Sequence, residues 1–329
     1  RTYTISELNN KLVDTSTTDT TNTYGRFSTY FYNLDGNKSN FDDFSVNIEC
    51  IKHRFSVIGL AETNVDPSNK DLYKLEEYSS CYQVRTKDKS KGSGVALYIH
   101  NLHSFTELSN ASVCTNNLES LFVEITDTDF PITVGVIYRP PGGSYEKFLS
   151  ELMNVTAHLP KENTFILGDY NVDLLNTSNT DVRRFEDAVI TCGLTPLISV
   201  HTHQRPNCKK TCIDNILTNS NEIVDCSGTI ENETKHHKPV FQISLIQTPV
   251  KTKQKSKTTI FYDYSYSNID NFRAYLTRNK NTMDVYAESF GGFNEFYQFA
   301  IDKTCKLVIP KTTKRTSVVN PWITQGLIN

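Results

Sequence analysis

The apolar residues of this chain come in short packets. Runs at 55–61, 94–99, 120–125, 132–138, 164–168, 212–218 and 239–245 each have the length of one buried strand. None approaches the ~18 residues needed to span a bilayer, so no membrane partner is expected. Helical spacing of apolar residues shows at Phe41, Phe44, Ile48 and Ile51, and again at Phe148, Leu149, Leu152, Val155 and Leu159. Many strands with few helices fit two sheets packed face to face with helices outside, better than one parallel sheet. The expected fold is therefore α/β, a four-layer α-β-β-α sandwich.

Composition divides the 329 residues into three parts. Residues 1–25 are rich in Thr, Asn, Ser and Asp and read as a flexible leader. Residues 26–248 carry all the strand-length runs and read as one large domain, since layered α/β folds often place over ~200 residues around one core. Residues 249–329 read as a basic, partly helical connector. Its expected helices lie near Ile269 to Leu276 and Phe293 to Val308, with Asn320-Pro321 as the cap and first turn of another. The opening Arg1-Thr2-Tyr3 has neither an initiator Met nor a signal core, which suits an internal piece of a longer chain.

The overall charge of −3 conceals an asymmetry: residues 251–329 carry +6 and residues 1–250 carry −9. An acidic domain does not grip nucleic acid through a general basic surface, because Lys and Arg supply most non-specific affinity. Contact with DNA would be local, metal-assisted, or helped by the run Lys251, Lys253, Lys255 and Lys257. The eight cysteines form no short-loop disulfide framework, and Cys208 and Cys212 lack a second ligand pair at zinc spacing. Reduced thiols are expected, and with them a nuclear or cytoplasmic, reducing location.

Chemistry concentrates where strands end. The run Phe165-Ile166-Leu167-Gly168 stops at Asp169-Tyr170-Asn171. Residues two apart on a strand share a face, so Asp169 and Asn171 are expected to reach one centre, with Gly168 permitting a tight bend. Other polar residues sit in the same way: Asn33 after Tyr30-Phe31-Tyr32, Glu62 after residues 57–61, and Tyr138-Arg139-Pro140-Pro141 after residues 132–137. Asp214 lies in Cys212-Ile213-Asp214-Asn215-Ile216, and His237 in His236-His237-Lys238-Pro239-Val240.

In this order and spacing these residues resemble the endonuclease/exonuclease/phosphatase superfamily, the DNase I-like fold shared by apurinic endonucleases. Within it, Ile58-Gly59-Leu60-Ala61-Glu62-Thr63, Gly94-Val95-Ala96-Leu97-Tyr98, Leu118-Glu119-Ser120-Leu121, Ile137-Tyr138-Arg139-Pro140-Pro141 and Ile213-Asp214-Asn215-Ile216 are most similar to the endonuclease domain of non-LTR (LINE-type) retrotransposon polyproteins. These phrases cover about residues 26–248. Asn320-Pro321-Trp322-Ile323-Thr324 resembles the connector between endonuclease and reverse transcriptase in such polyproteins.

The resemblance implies a Mg²⁺-dependent endodeoxyribonuclease, with Mn²⁺ as a second cofactor. Its partners would be double-stranded DNA, the downstream reverse transcriptase domain and, indirectly, the element RNA. Mg²⁺ prefers oxygen ligands and keeps several waters, so one or two carboxylates suffice. Glu62 is the expected metal ligand, with Asn33 completing the metal's surroundings. Asp169 is expected to orient and deprotonate the attacking water, and Asn171 to fix the phosphate or the aspartate. Asp214 and His237 would form a carboxylate-imidazole pair facing the scissile phosphate. Tyr138 would donate its hydroxyl there, while Arg139, Thr202 and Asn215 are the expected substrate contacts. How these groups divide base and electrostatic duties stays open at this point.

One departure stands out. Relatives read Ser-Asp-His where this chain has Lys235-His236-His237. Replacing an anion by His236 beside Lys235 implies weakened or metal-altered activity, because imidazole suits softer cations such as Mn²⁺. On that expectation His236→Asp raises Mg²⁺-dependent cleavage. Two other functions fit the same sequence: a DNA- or protein-binding module with decayed catalysis, and a phosphatase or repair nuclease on the same fold.

Overall fold

A strand takes shape here wherever β-branched and aromatic residues run without interruption, and the computed structural model places nearly every such run in one of two sheets. Described are residues 1–14, 24–36, 38–66, 68–83, 93–128, 130–231 and 236–249, with 258–262, 311–315 and a few positions between 270 and 278. The chain divides into two units, Arg1–Lys251 and Thr252–Asn329.

The first unit contains β1 (Thr2–Tyr3), α1 (Ile5–Asp14), β2 (Tyr24–Asn33), α2 (Lys38–Cys50), β3 (Val57–Ala61), β4 (Tyr78–Gln83), β5 (Val95–His100) and β6 (Phe105–Glu107). There follow β7 (Glu119–Ile125), β8 (Ile132–Tyr138), α3 (Tyr145–Thr156), β9 (Thr164–Asp169), α4 (Thr180–Thr191), β10 (Thr195–Pro196), β11 (Asp214–Thr218), β12 (Val224–Ile230) and β13 (Val240–Pro249). One sheet has the order β1-β12-β13-β2-β3-β5-β4 and the other β10-β11-β9-β8-β7-β6.

Alternation along the strands explains the layering. Phe27 and Phe31 of β2, Val95, Leu97 and Ile99 of β5, and Val134 and Val136 of β8 fill the space between the sheets. The opposite faces bury their side chains under helices. Leu8 of α1 and Phe41, Phe44 and Ile48 of α2 pack on Tyr30, Ile58, Tyr98 and Phe241 of the first sheet. Phe148 and Leu152 of α3, with Val182, Phe185 and Val189 of α4, pack on Phe122, Ile137, Ile166 and Leu217 of the second. The result is the expected α-β-β-α sandwich.

Two expectations are corrected. Residues 1–14 are not a loose leader: Thr2 and Tyr3 pair in parallel with Thr229 and Ile230, and α1 follows, while residues 15–23 lie outside the described residues. The physical reason is burial, since Tyr3 and Leu8 are 7% and 0% exposed, and two buried apolar anchors outweigh a polar composition. Gly168, expected to permit a bend, lies inside β9. It serves a close approach instead, because a Cβ there would stand 2.4 Å from the Ile137 carbonyl oxygen.

In the second unit β14 (Thr258–Tyr262) pairs antiparallel with β15 (Lys311–Arg315). Most of the expected connector helices, and the Asn320 to Thr324 phrase, lie outside the described residues.

Candidate active site

The polar strand ends meet at one rim of the sandwich. β2 and β3 run parallel, with Asn33 opposite Ala61, so Asn33 and Glu62 leave the first sheet side by side. β9 lies between β8 and β11 in the second sheet, with Asp169 opposite both Tyr138 and Asp214. The register thus brings residues from five parts of the sequence together.

Asn33 joins the two sheets. Its Nδ2 donates to Glu62 Oε1 and to Asp169 Oδ2, each at 2.9 Å, while its Oδ1 accepts from the Asp35 N–H at 2.8 Å. The third contact closes the turn in which Asp35 takes a φ of 51°. Glu62 itself has a φ of 51°, a left-handed conformation unusual for a non-glycine residue, held by the surrounding loop. Gly36 N–H donates to the Glu62 carbonyl at 3.0 Å. Burial raises the Glu62 carboxyl above its ordinary value, against the lowering effect of Asn33 and the Tyr138 hydroxyl.

Asp169 is buried, and burial first, then the neighbouring Asp214 charge, push its carboxyl up to about 7. His237, the Asn171 N–H at 2.9 Å and Asn33 act against that rise. Asp214 accepts from His237 Nδ1 at 3.0 and 3.1 Å through its two oxygens. Burial alone would lower the His237 value, but the Asp214 carboxylate outweighs it and holds the imidazolium up to about 9. Ligand atoms of Asp169, Asp214 and His237 all lie within 4.8 Å of one another. Tyr138 is buried beside Glu62 and Asp169, and burial followed by those charges keeps its hydroxyl protonated.

Three expected residues sit differently from their expectation, and a fourth, Asn171, does so in part, since its N–H still holds Asp169. Asn171 does not extend β9: its φ of 50° turns the chain, and its Nδ2 donates to the Arg139 carbonyl at 2.8 Å. Arg139 returns the contact through Nη1 to the Asn171 carbonyl at 3.0 Å, with its guanidinium over the Tyr145 and Phe148 rings. These two hold each other. Thr202, expected at a DNA backbone, is 0% exposed; its hydroxyl accepts from the N–H groups of Ile213 at 3.2 Å and Asp214 at 3.0 Å. Asn215, expected to touch substrate, is buried and ties β11 to the Leu197–Ile198 backbone through its amide. Asn215 lies inside because adjacent residues of a strand point to opposite faces, and its neighbour Asp214 faces the rim, while Thr202 is turned in by its bonds to the Ile213 and Asp214 N–H groups.

Among the described residues His236 is exposed and lies outside the Asp169, Asp214 and His237 cluster, while Lys235 lies outside the described residues. Sequence reasoning missed His203. Its ring lies 4.6 Å from that of His237, and His236 approaches its ring at 6.5 Å. The only signal was its place directly after Thr202.

The donor set fits a divalent cation. Three carboxylates, Glu62, Asp169 and Asp214, converge on a buried rim, and Asp214 makes ionisation of Asp169 unfavourable. Such an excess of negative charge is what a hard oxygen-seeking cation relieves.

No protein-family model matches this chain, and no curated protein matches it in sequence. Solved structures do share its fold. The endonuclease domain of TRAS1, a telomere-specific non-LTR retrotransposon, superposes with a TM-score of 0.54 at 14% identity, covering 68% of this chain and 100% of that domain. An AP endonuclease of Leishmania major, LMAP, gives 0.53 at 11% identity over 67% of this chain and 88% of that one. The catalytic domain of Xenopus laevis APE2 gives 0.50 at 16% identity over 67% and 93%. The chain therefore shares the fold of these endonuclease domains. Among the described residues, no helix is long and apolar enough to cross a membrane.

Proposed function

We propose that this protein is a metal-dependent DNA endonuclease that nicks its target and leaves a 3′-hydroxyl for a reverse transcriptase to extend. The observation that carries the reading is the Asn33 amide bridging Glu62 and Asp169, beside an Asp214–His237 pair whose imidazole is held protonated. A perturbed acid and a held cation side by side in one rim are what acid–base catalysis at neutral pH requires. Similarity in fold to a retrotransposon endonuclease domain supports the narrower reading.

Each residue then has a task set by its environment. Asp169, at about 7, is matched to neutral pH and takes a proton from the attacking water as oxygen bonds to phosphorus. The phosphorus–3′-oxygen bond breaks, the leaving oxygen takes a proton from solvent water to become the 3′-hydroxyl, and Asp169 afterwards returns its own proton to solvent. His237, charged below about 9, donates to a non-bridging phosphoryl oxygen, where negative charge builds. Tyr138 is also a donor, because its hydroxyl does not ionise in the neutral range. Asp214 orients the imidazole and Thr202 orients Asp214. When bound by Glu62 with Asn33 beside it, a divalent cation would supply further charge neutralisation and help for the leaving oxygen.

An acidic domain still needs local cations for DNA. Arg205, Lys209 and Lys210 are exposed in the loop that begins at His203 and closes on Thr211, next to His237. They are suited to phosphates flanking the nick. The exposed His236 side chain lies outside the Asp169, Asp214 and His237 cluster, which favours a competent site over a decayed one.

The test is nicking of supercoiled plasmid in Mg²⁺, in Mn²⁺ and in EDTA, with Asp169→Ala as the control for contaminating nuclease. Metal-dependent nicks ending in an extendable 3′-hydroxyl, absent from the variant, are expected. Equal traces from both proteins would refute the proposal.

A further inference from the structure

The segment Thr202–Gln204 is clamped on both sides. His203 N–H donates to the Thr211 carbonyl and Thr211 N–H to the His203 carbonyl, both at 3.0 Å. On the other side Gln204 N–H donates to the His236 carbonyl at 2.9 Å and Lys238 N–H to the Thr202 carbonyl at 2.6 Å. His203 and His237 are therefore bridge partners. Partners in an antiparallel bridge carry their side chains on the same face, which brings the two rings together.

The contact is specific in shape. The ring centroids are 4.6 Å apart with planes at 51°, and His203 Nδ1 lies 3.2 Å from the Thr211 hydroxyl. His237 is anchored at one ring nitrogen by Asp214. A hydrogen bond at one nitrogen leaves a ring free to tilt about that bond, whereas a second ring against its face removes the tilt. His203 is half-buried and His237 is 7% exposed, so His203 also walls the imidazolium off from water. Burial, then the His237 charge, depress the His203 value to about 4, so the covering ring is uncharged at neutral pH. An uncharged aromatic face beside an imidazolium is attractive, while a second charged ring would not be.

We infer that His203 is a positioning residue for the cleavage reaction: its ring, pinned by Thr211, covers one face of His237 and fixes the angle at which that imidazole meets the phosphate. The inference rests on the nuclease reading for its kinetic consequence, but the ordering of His237 can be read without any cleavage. What matters in His203 is a flat uncharged ring, so phenylalanine should replace it and alanine should not.

The experiment compares His203→Ala and His203→Phe with the wild-type chain, by plasmid-nicking kinetics in Mg²⁺ and by nuclear magnetic resonance of ¹⁵N-labelled imidazoles. For His203→Ala, kcat should fall roughly 10- to 100-fold with KM nearly unchanged, as expected when a reacting group is misplaced by about 1 Å. The His237 Nδ1–H signal should broaden or move in the same variant. His203→Phe should restore both kcat and the signal. Wild-type His237 signals and wild-type kcat in the alanine variant would overturn the inference, and so would a phenylalanine variant as impaired as alanine. If the wild type shows no cleavage at all, the nuclease reading fails, while the His237 signals still decide whether His203 orders that ring.

Discussion

Asn33 and Asp169 lie in different sheets, 136 positions apart in the chain, and are joined by a 2.9 Å hydrogen bond from amide to carboxylate. Since Asn33 favours the ionised form of Asp169, Asn33→Ala should raise the Asp169 value above about 7. The acidic limb of the pH–rate profile should then move to higher pH, so that cleavage at pH 6.5 suffers more than at pH 8.5. A profile that falls uniformly at all pH would contradict this assignment.

The wild-type profile should be bell-shaped, rising as Asp169 loses its proton near 7 and falling as His237 loses its own near 9. A bound cation favours the ionised carboxylate, so raising the Mg²⁺ concentration should draw the acidic limb downward while leaving the basic limb in place. Initial nicking rates at several pH values and two metal concentrations check both parts.

Stability should carry the same signature. The folded value of Asp169, about 7, exceeds its ordinary 3.8, so its contribution is complete below about 3.8 and is lost as pH rises through 7. Asp169→Asn has no such loss. Melting temperatures taken from pH 4 to pH 7 should therefore shift steadily in favour of the variant, whatever the offset at pH 4.

Divalent cation should raise the melting temperature of the wild type, because a ligand that binds only the folded state stabilises it by mass action. The rise should shrink or vanish in Glu62→Gln, which keeps the shape of Glu62 and removes its charge. An undiminished rise in that variant would move the cation away from Glu62.

Thr202→Val leaves the Ile213 and Asp214 N–H groups without their acceptor and should cost about 1–3 kcal/mol in denaturant unfolding. Thr202→Ser keeps the hydroxyl and should stay close to wild type. If Thr202 touched DNA, KM would climb in the valine variant without loss of stability.

Legibility of this chain followed the strength of its local signals. Continuous apolar runs such as Ile132–Tyr138 and Thr164–Asp169 announced their strands almost to the residue, because both faces of those strands are buried. β4 and β12 went unseen: Tyr-Ser-Ser-Cys-Tyr-Gln and Val-Asp-Cys-Ser-Gly-Thr-Ile carry too few apolar side chains, and tertiary pairing decides them. α4 escaped because Arg183, Arg184, Glu186 and Asp187 crowd between the buried Val182, Phe185, Ala188 and Val189. At the site, Asn33, Glu62, Asp169, Asp214 and His237 could be found as polar ends of apolar runs. The inward turn of Thr202 and Asn215 and the packing of the His203 ring against His237 depend on contacts made across the chain, which no local pattern records.

β13 lies between β12 and β2, which puts residues near position 240 in the heart of the first sheet rather than at its margin. During synthesis that sheet stays open until the last of these strands has left the ribosome, and His237, which immediately precedes it, arrives at the same moment. Long-range pairing of this kind is slow to form. The rim that joins Asn33, Asp169 and His237 is thus completed only when segments more than 200 positions apart have both been made.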